Sequence, residues 1–225
     1  MFQYNPAEPL PTAEPLPDSD GKPVDNELQV EVAGLLSAIL SLAWAGRTDW
    51  FFGANLGLYY APDEEAVVPD GFLSLGVQRH KGEHGRPSYV VWEEGALPVL
   101  VLEIVSRTYR GEYGSKLALY QQLEIPYYAI YNPMRRRQQS PFAAYRLVGG
   151  NYLQQETEPF WIEEVGLGLG RGEGVYKGWQ REWLYWFDQD GRRLPTPEER
   201  MERERAKIAA LEQRLRQLGE DPGGL

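Results

Sequence analysis

The sequence predicts an α+β chain, and three features carry that prediction. A helically spaced apolar face runs through Leu28, Val32, Leu35, Leu36, Ile39 and Leu40. A strand, helix, strand unit is written in PVLVLEIV, EYGSKLALYQQL and YYAIYNP, all between 98 and 133. Two hairpin signals follow: AAYRLVGGNYLQQE turns on Gly-Gly-Asn, and WLYWFDQDGRRL turns on Asp-Gly.

Taken in order, residues 1–24 carry Pro6, Pro9, Pro11, Pro15, Pro17 and Pro23. That density favours an extended arm over a packed element. The folded domain is therefore expected over 25–195, with a charged C-terminal helix and tail over 196–225. Asp25 is placed to cap the first helix, which should run to about Ala45 with Glu27 and Glu31 on its flank. NLGLYYA and AVVPDGFLSLGV, separated by the turn signal PDEE, read as an antiparallel hairpin or meander with Asp70 in its second strand. A Gly-rich loop at 79–88 precedes SYVVWEE and PVLVLEIV, the latter apolar on both faces as a central strand is. Tyr113, Lys116, Leu119, Tyr120 and Leu123 keep helical spacing from Glu112 onward, and the next strand stops at Asn132-Pro133. From Pro197 to Leu218 the chain is charged and helical. There Ile208, Leu211, Leu215 and Leu218 are spaced 3, 4 and 3, with Met201 one heptad earlier. Such a seam packs either on its own domain or on a second copy. There is no internal repeat.

Composition removes several functions. Lys and Arg number 23 against 33 Asp and Glu, a net charge of −10 that excludes broad adhesion to nucleic acid and leaves only a local basic strip. With no cysteine there is no disulfide-linked partner, thiolate metal site or cysteine nucleophile. His80 and His84 both fall in HKGEHG, a surface loop or, less simply, a metal pair. The first twenty residues have neither a basic start nor an apolar core, and no run approaches 18 apolar residues, so a soluble cytoplasmic protein without membrane contact is expected.

The residue that raises a functional question is Glu103. It interrupts Val99-Leu100-Val101-Leu102 and Ile104-Val105, where a buried strand should carry hydrocarbon. A carboxylate buried there must be paired, protonated or bound to a cation. If the hairpin and the central strand share a sheet, Asp70 neighbours Glu103, and a divalent cation explains both. Mg²⁺ favours hard oxygen ligands and takes one or two carboxylates, and Mn²⁺ could replace it. Asp70, Glu103, a strand carbonyl such as that of Ile104 and a nearby lysine make a minimal kit for metal-assisted phosphodiester hydrolysis. Lys116, in the first turn of the following helix, is the candidate lysine, although a lysine on an apolar stripe can also snorkel to solvent. Tyr120, one turn on, either orients it or packs in the core. Glu112 either favours the helix dipole or adds a supporting carboxylate, and Glu31 is a further supporting candidate. MRRRQQ, the only dense basic stretch, is a solvated loop or a phosphate contact.

Pro69-Asp70, Glu103-Ile104-Val105-Ser106, GEYGSKLALYQQLEIPYY and the strand ending in Asn132-Pro133 together resemble the Uma-two family. These restriction-endonuclease-like proteins lie within the PD-(D/E)XK nuclease superfamily and are especially numerous in cyanobacteria. The resemblance runs from about Asp25 to Pro197, with its specific weight between Asp70 and Pro133. It implies a restriction-endonuclease-like core, a mixed β-sheet with flanking helices. It also implies Mg²⁺-dependent phosphodiester cleavage with Asp70 and Glu103 as metal ligands. The superfamily lysine two residues after the glutamate is Val105 here; the family places a lysine on the following helix, a position that Lys116 matches. Gly114 stands where some relatives have Asp.

A DNA endonuclease is thus the leading expectation, with Arg107, Arg110, Arg135, Arg136 and Arg137 as the basic path and a homodimer formed through the sheet or the C-terminal helix. The competing expectation is a catalytically inactive nuclease fold that binds partners or nucleic acid. In that case Glu103 and Lys116 are a buried ion pair with no metal.

Overall fold

The computed structural model describes residues 10–14, 16 and 26–218. In chain order the elements are α1 (Glu27–Ala43), β1 (Trp50–Gly53), β2 (Leu58–Tyr59), β3 (Gly71–Leu75), β4 (Tyr89–Val90), α2 (Val91–Glu94), β5 (Leu100–Ile104), α3 (Ser115–Gln122), β6 (Tyr127–Tyr131), β7 (Phe142–Val148), β8 (Asn151–Gln155), β9 (Phe160–Ile162), β10 (Leu167–Tyr176), β11 (Trp179–Phe187) and α4 (Pro197–Gln217). Six strands form one mixed sheet in the order β1-β3-β5-β6-β7-β8, in which β5 and β6 are parallel and the other neighbours antiparallel. The parallel pair is joined by α3, as a crossover requires.

Alternation along β5 divides the interior. Leu100, Leu102 and Ile104 face a core built with α1 and a three-stranded sheet of β11, β10 and β9; Val101 and Val105 face a second core under α3, with Tyr120, Leu123 and Ile125. Being covered on both faces, β5 is buried throughout. α1 buries the six apolar residues that its spacing marks and is tied to β11 where the Trp186 indole donates to the Leu36 carbonyl at 3.1 Å.

Several expectations about local structure are corrected. Asp25 lies outside the described residues, and Asn26 caps α1, its Oδ1 accepting from the Gln29 N–H at 3.2 Å. The antiparallel partner of β3 is β1, from WFFG; NLGLYYA meets AVVPDGFLSLGV only at one antiparallel bridge, Leu58 to Val67, and its strand Leu58–Tyr59 pairs in parallel with Tyr89–Val90. SYVVWEE yields only those two strand residues before turning into α2, closed by Gly95 in the left-handed conformation. The helix after β5 starts at Ser115, because residues 111–114 form a turn first. The β7–β8 hairpin is as read, with Gly149 and Gly150 both at positive φ as a two-residue turn demands. The partner of WLYWF, however, is β10 through a Lys177-Gly178 turn, while Asp188–Gly191 closes only an isolated bridge between Phe187 and Arg193.

The two ends of the chain behave differently. The described part of the proline-rich arm is docked: Ala13 donates its N–H to Glu93 at 2.8 Å, and the Trp92 indole donates to the Pro11 carbonyl at 2.8 Å. At the other end Thr196, Pro197 and Glu199 form a capping box that starts α4. α4 buries none of its side chains, so its seam does not pack back on the domain. Among the described residues no helix is long and apolar enough to cross a membrane.

Candidate active site

The site lies at the C-terminal end of β5. The β3–β5 register pairs Gly71 with Leu102, and one further step sets Asp70 opposite Glu103. Glu103 shares the face of Val101 and Val105, so its side chain enters the layer beneath α3. Lys116 and Tyr120 lie four apart on α3 and reach down together. The Lys116 ammonium is 2.7 Å from Glu103 Oε2, and the Tyr120 hydroxyl donates to Oε1 at 2.7 Å. Lys116 keeps 18% of its side chain exposed, whereas Glu103 keeps 2%. Lys116 is thus the more exposed partner of the pair.

Asp70 is held from the opposite direction. Its Oδ2 accepts from the Ile104 N–H at 2.6 Å, and its Oδ1 accepts from the Gln29 amide at 3.0 Å. The same amide nitrogen lies 3.3 Å from the Ile104 carbonyl oxygen. Gln29 therefore aligns one carboxylate and one carbonyl. Sequence reasoning passed over it, although the signal was available: a polar side chain one turn before Val32 and Ala33 on a buried helix face, the same anomaly that marked Glu103.

Charge balance is the site's main property. Burial pushes the Glu103 carboxyl up to about 7; Lys116 opposes the shift, and the nearby Asp70 carboxylate adds to it. Burial also lifts Asp70 to about 6, against the Ile104 N–H, Lys116 and Gln29, with Glu112 adding to the rise. Two buried carboxylates share one ammonium, so full ionisation leaves one negative charge without a partner. The Tyr120 hydroxyl is pushed well above its ordinary value, first by burial and then by Glu103, so it stays a donor.

The remaining candidates separate. Glu112 is buried, but it sits in the turn ahead of α3 and not at the helix start: its carboxylate accepts from the Arg110 N–H at 3.1 and 3.2 Å, and its carbonyl accepts from Tyr128 at 2.8 Å. It acts on the site through its charge on Asp70. Glu31 has no part in the site; two residues on from Gln29 it faces away and pairs with Lys177 at 2.8 Å. Val105, where the superfamily lysine would stand, is packed in the core under α3. Arg107 and Arg136 line a cavity that begins at Val105, while Arg135 is exposed in the turn after Asn132 and Arg110 contributes its backbone N–H to Glu112. His80 and His84 are exposed, and among the described residues no group of three or more His, Asp or Glu side chains could hold a metal. Any metal at this centre therefore rests on two carboxylates and a carbonyl, an all-oxygen set suited to a hard cation that keeps waters for its other positions.

A mixed sheet with a parallel central pair, a crossover helix and a carboxylate pair at the end of the central strand places the chain among restriction-endonuclease-like folds. It belongs to the Uma2 family, described as "Putative restriction endonuclease", whose model matches residues 20–172, from before α1 into β10. No curated protein matches the chain.

Proposed function

We propose that this chain is a metal-dependent endonuclease that hydrolyses DNA phosphodiester bonds at the Asp70–Glu103 centre. The observation that carries the reading is the unbalanced charge: two carboxylates at the end of β5 against a single ammonium, with both pKa values raised. A divalent cation, Mg²⁺ or Mn²⁺, held by Asp70, Glu103 and the Ile104 carbonyl would supply that balance. When bound, it would polarise the phosphate and lower the pKa of a water. Lys116, the more exposed member of the pair, neutralises negative charge that grows on the phosphoryl oxygens in the transition state. Tyr120 fixes the Glu103 carboxylate from beneath, and Gln29 fixes Asp70 and the carbonyl together.

The direct Lys116–Glu103 contact also favours a second reading, in which the pair is structural and the fold serves only to bind partners or nucleic acid. Supercoiled and single-stranded DNA incubated with Mg²⁺ or Mn²⁺ separates the two. Cutting that needs the ion and disappears in Glu103→Gln and Lys116→Ala, with circular dichroism unchanged, supports the nuclease. No cutting, together with no Mg²⁺ binding by calorimetry, leaves the structural pair.

A second copy of the chain fits the α4 seam. Met201, Ile208, Leu211 and Leu218 are 54%, 55%, 65% and 65% exposed, too much apolar surface on one stripe for an isolated helix. β-branched Ile208 at an a position and Leu211 at d suit a two-stranded coil, and in a parallel pair Lys207 of one copy faces Glu212 of the other. Arg200 and Arg205 would oppose with like sign, so the contact centres on the C-terminal half of α4. Light scattering should give a dimer mass that Leu211→Glu halves; a monomer in the unaltered chain removes this assembly.

A further inference from the structure

We infer that the arginine cavity beside the carboxylate pair is a built subsite for a neighbouring DNA backbone phosphate, which deepens the nuclease reading and rests on it for the position of the reacting phosphate. The cavity, about 370 Å³, is lined by Val105, Ser106, Arg107, Tyr109, Arg136 and Arg137. It begins one residue beyond Ile104, whose carbonyl belongs to the site. Two residues of extended chain, from Ile104 to Ser106, span about 7 Å. That is about the through-space separation of consecutive phosphates on one strand, which exceeds the ~3.4 Å rise along the axis because the backbone winds around it. A strand with one phosphate over the carboxylates therefore sets another over this cavity.

Its lining gathers three arginines. The chain carries ten more acids than bases, and Arg47, Arg86, Arg146, Arg171, Arg192 and Arg193 each pair with a carboxylate, while arginines elsewhere without one, such as Arg79 and Arg181, stand singly and not gathered round a cavity. Arg107, Arg136 and Arg137 pair with none among the described residues, and no acidic side chain lines the cavity. Gathering three unneutralised guanidinium groups has a repulsive cost that an anion removes. Buried Arg136 Nε, without a hydrogen-bond partner, leaves a donor free. Backbone phosphate is the fitting anion, since guanidinium groups match its oxygens and a contact to it carries no sequence information.

The loop is also held in place for this task. Asn132, fully buried, clamps Arg136 at both ends: its Oδ1 accepts from the Arg136 N–H at 2.9 Å, and its Nδ2 donates to the Arg136 carbonyl at 3.0 Å. Around that clamp Arg135, Arg137 and Gln138 all adopt left-handed backbone, with φ of 47°, 56° and 55°. Side chains with a Cβ rarely take that conformation, and its concentration in one loop is a mark of functional sites. Arg137 is steadied over the Tyr109 ring at 4.1 Å. Within MRRRQQ only Arg136 is half-buried; the other residues of the run are exposed.

Binding without chemistry tests this. A short fluorescein-labelled DNA duplex is titrated by polarisation in EDTA over a range of KCl, with the full-length protein and with Arg107→Gln, Arg136→Gln and Arg137→Gln. Each variant should bind several-fold more weakly and lower the slope of log affinity against log salt by about one. Arg146→Gln and Arg192→Gln, remote and already paired, should change neither. Asn132→Ala, if it melts as the parent does, should resemble Arg136→Gln. Unchanged affinity and slope in all three arginine variants, or no duplex binding by the parent at low salt, overturns the subsite. The outcomes remain separable from the nuclease reading: arginine-dependent binding without cleavage keeps the subsite and removes the nuclease, and cleavage with arginine-independent binding does the reverse.

Discussion

Among the described residues, two ion pairs hold a carboxylate almost wholly out of solvent, and they are built to opposite ends. Glu94, at the end of α2, is 4% exposed and meets Arg86, itself 3% exposed, through two parallel bonds of 2.9 Å; Lys81 adds a third at 3.0 Å. Burial alone would raise the Glu94 pKa, but the bonds and charges of Arg86 and Lys81 outweigh it and hold the group below its ordinary value. Glu103 has one lysine and a second carboxylate for company, and its pKa is raised to about 7. One acid sees two cations; the other shares one. The first arrangement closes a surface loop, and the second leaves two carboxylates with one ammonium between them.

The comparison is broken most severely by removing the acids. On the proposed mechanism Glu103→Gln and Asp70→Asn should each lower metal-dependent cleavage by at least about 100-fold, since either loss removes an ionic ligand. Glu94→Gln should leave cleavage unchanged and instead cost about 3 kcal/mol in urea unfolding, because Arg86 is left buried without its counter-charge. If Glu103→Gln destabilises the fold like Glu94→Gln and cleavage survives, the two pairs are of one kind. Lys116→Ala comes next, with a loss of about 10²-fold in kcat and little change in KM, the pattern of a group that acts on the transition state. Single-turnover kinetics would check it.

How much of this was legible in the sequence follows from where the signals were local. Glu103 stood out because hydrocarbon surrounds it on both sides in the chain, and Lys116 and Tyr120 because helical spacing puts them on one face. The Asp70 contact to Ile104 N–H needed strand pairing, and there sequence reading chose the wrong partner for β3: WFFG at β1 is too short to show alternation, while the longer NLGLYYA looked like a strand. Asp70 nonetheless reached the right neighbour, because its pairing with β5 does not depend on β1. The Arg86–Glu94 pair was invisible, since a Gly-rich loop gives no periodicity from which to place Arg86. Gln29 was hidden by the apolar stripe that predicted its helix.

Titration sharpens the contrast with a smaller effect. Folded Asp70 and Glu103 titrate near 6 and 7, above ordinary values of 3.8 and 4.5, so between those limits the folded state holds protons that the unfolded chain has released. Stability from this site is therefore present below about pH 4 and is lost as pH rises through 7. Glu94 has the opposite sign: its contribution is present at neutral pH and is lost only as acid protonates it in the folded state. In chelator the melting temperature should fall by several degrees from pH 5 to pH 8, and Glu103→Gln should flatten that fall. Mg²⁺ should raise the melting temperature more at pH 8 than at pH 5, since the ion needs ionised carboxylates. Scanning calorimetry at the two pH values would show a flat response if the site were as fully paired as Glu94.

The finest distinction rests on one hydroxyl. Tyr120 donates to Glu103 Oε1 and is fully buried, so Tyr120→Phe removes a bond without opening a cavity and should cost only about 1 kcal/mol of stability. The hydroxyl favours the ionised form of Glu103, and its loss lets burial raise the carboxyl further. The acidic limb of the cleavage pH profile should then move to higher pH, with the rate reduced several-fold near pH 6.5 and nearly unchanged near pH 9. A uniform loss at every pH would instead mean that Tyr120 acts on Glu103 by position alone. Glu94 takes its side-chain hydrogen bonds among the described residues from Arg86 and Lys81, two cations that already fix its ionisation.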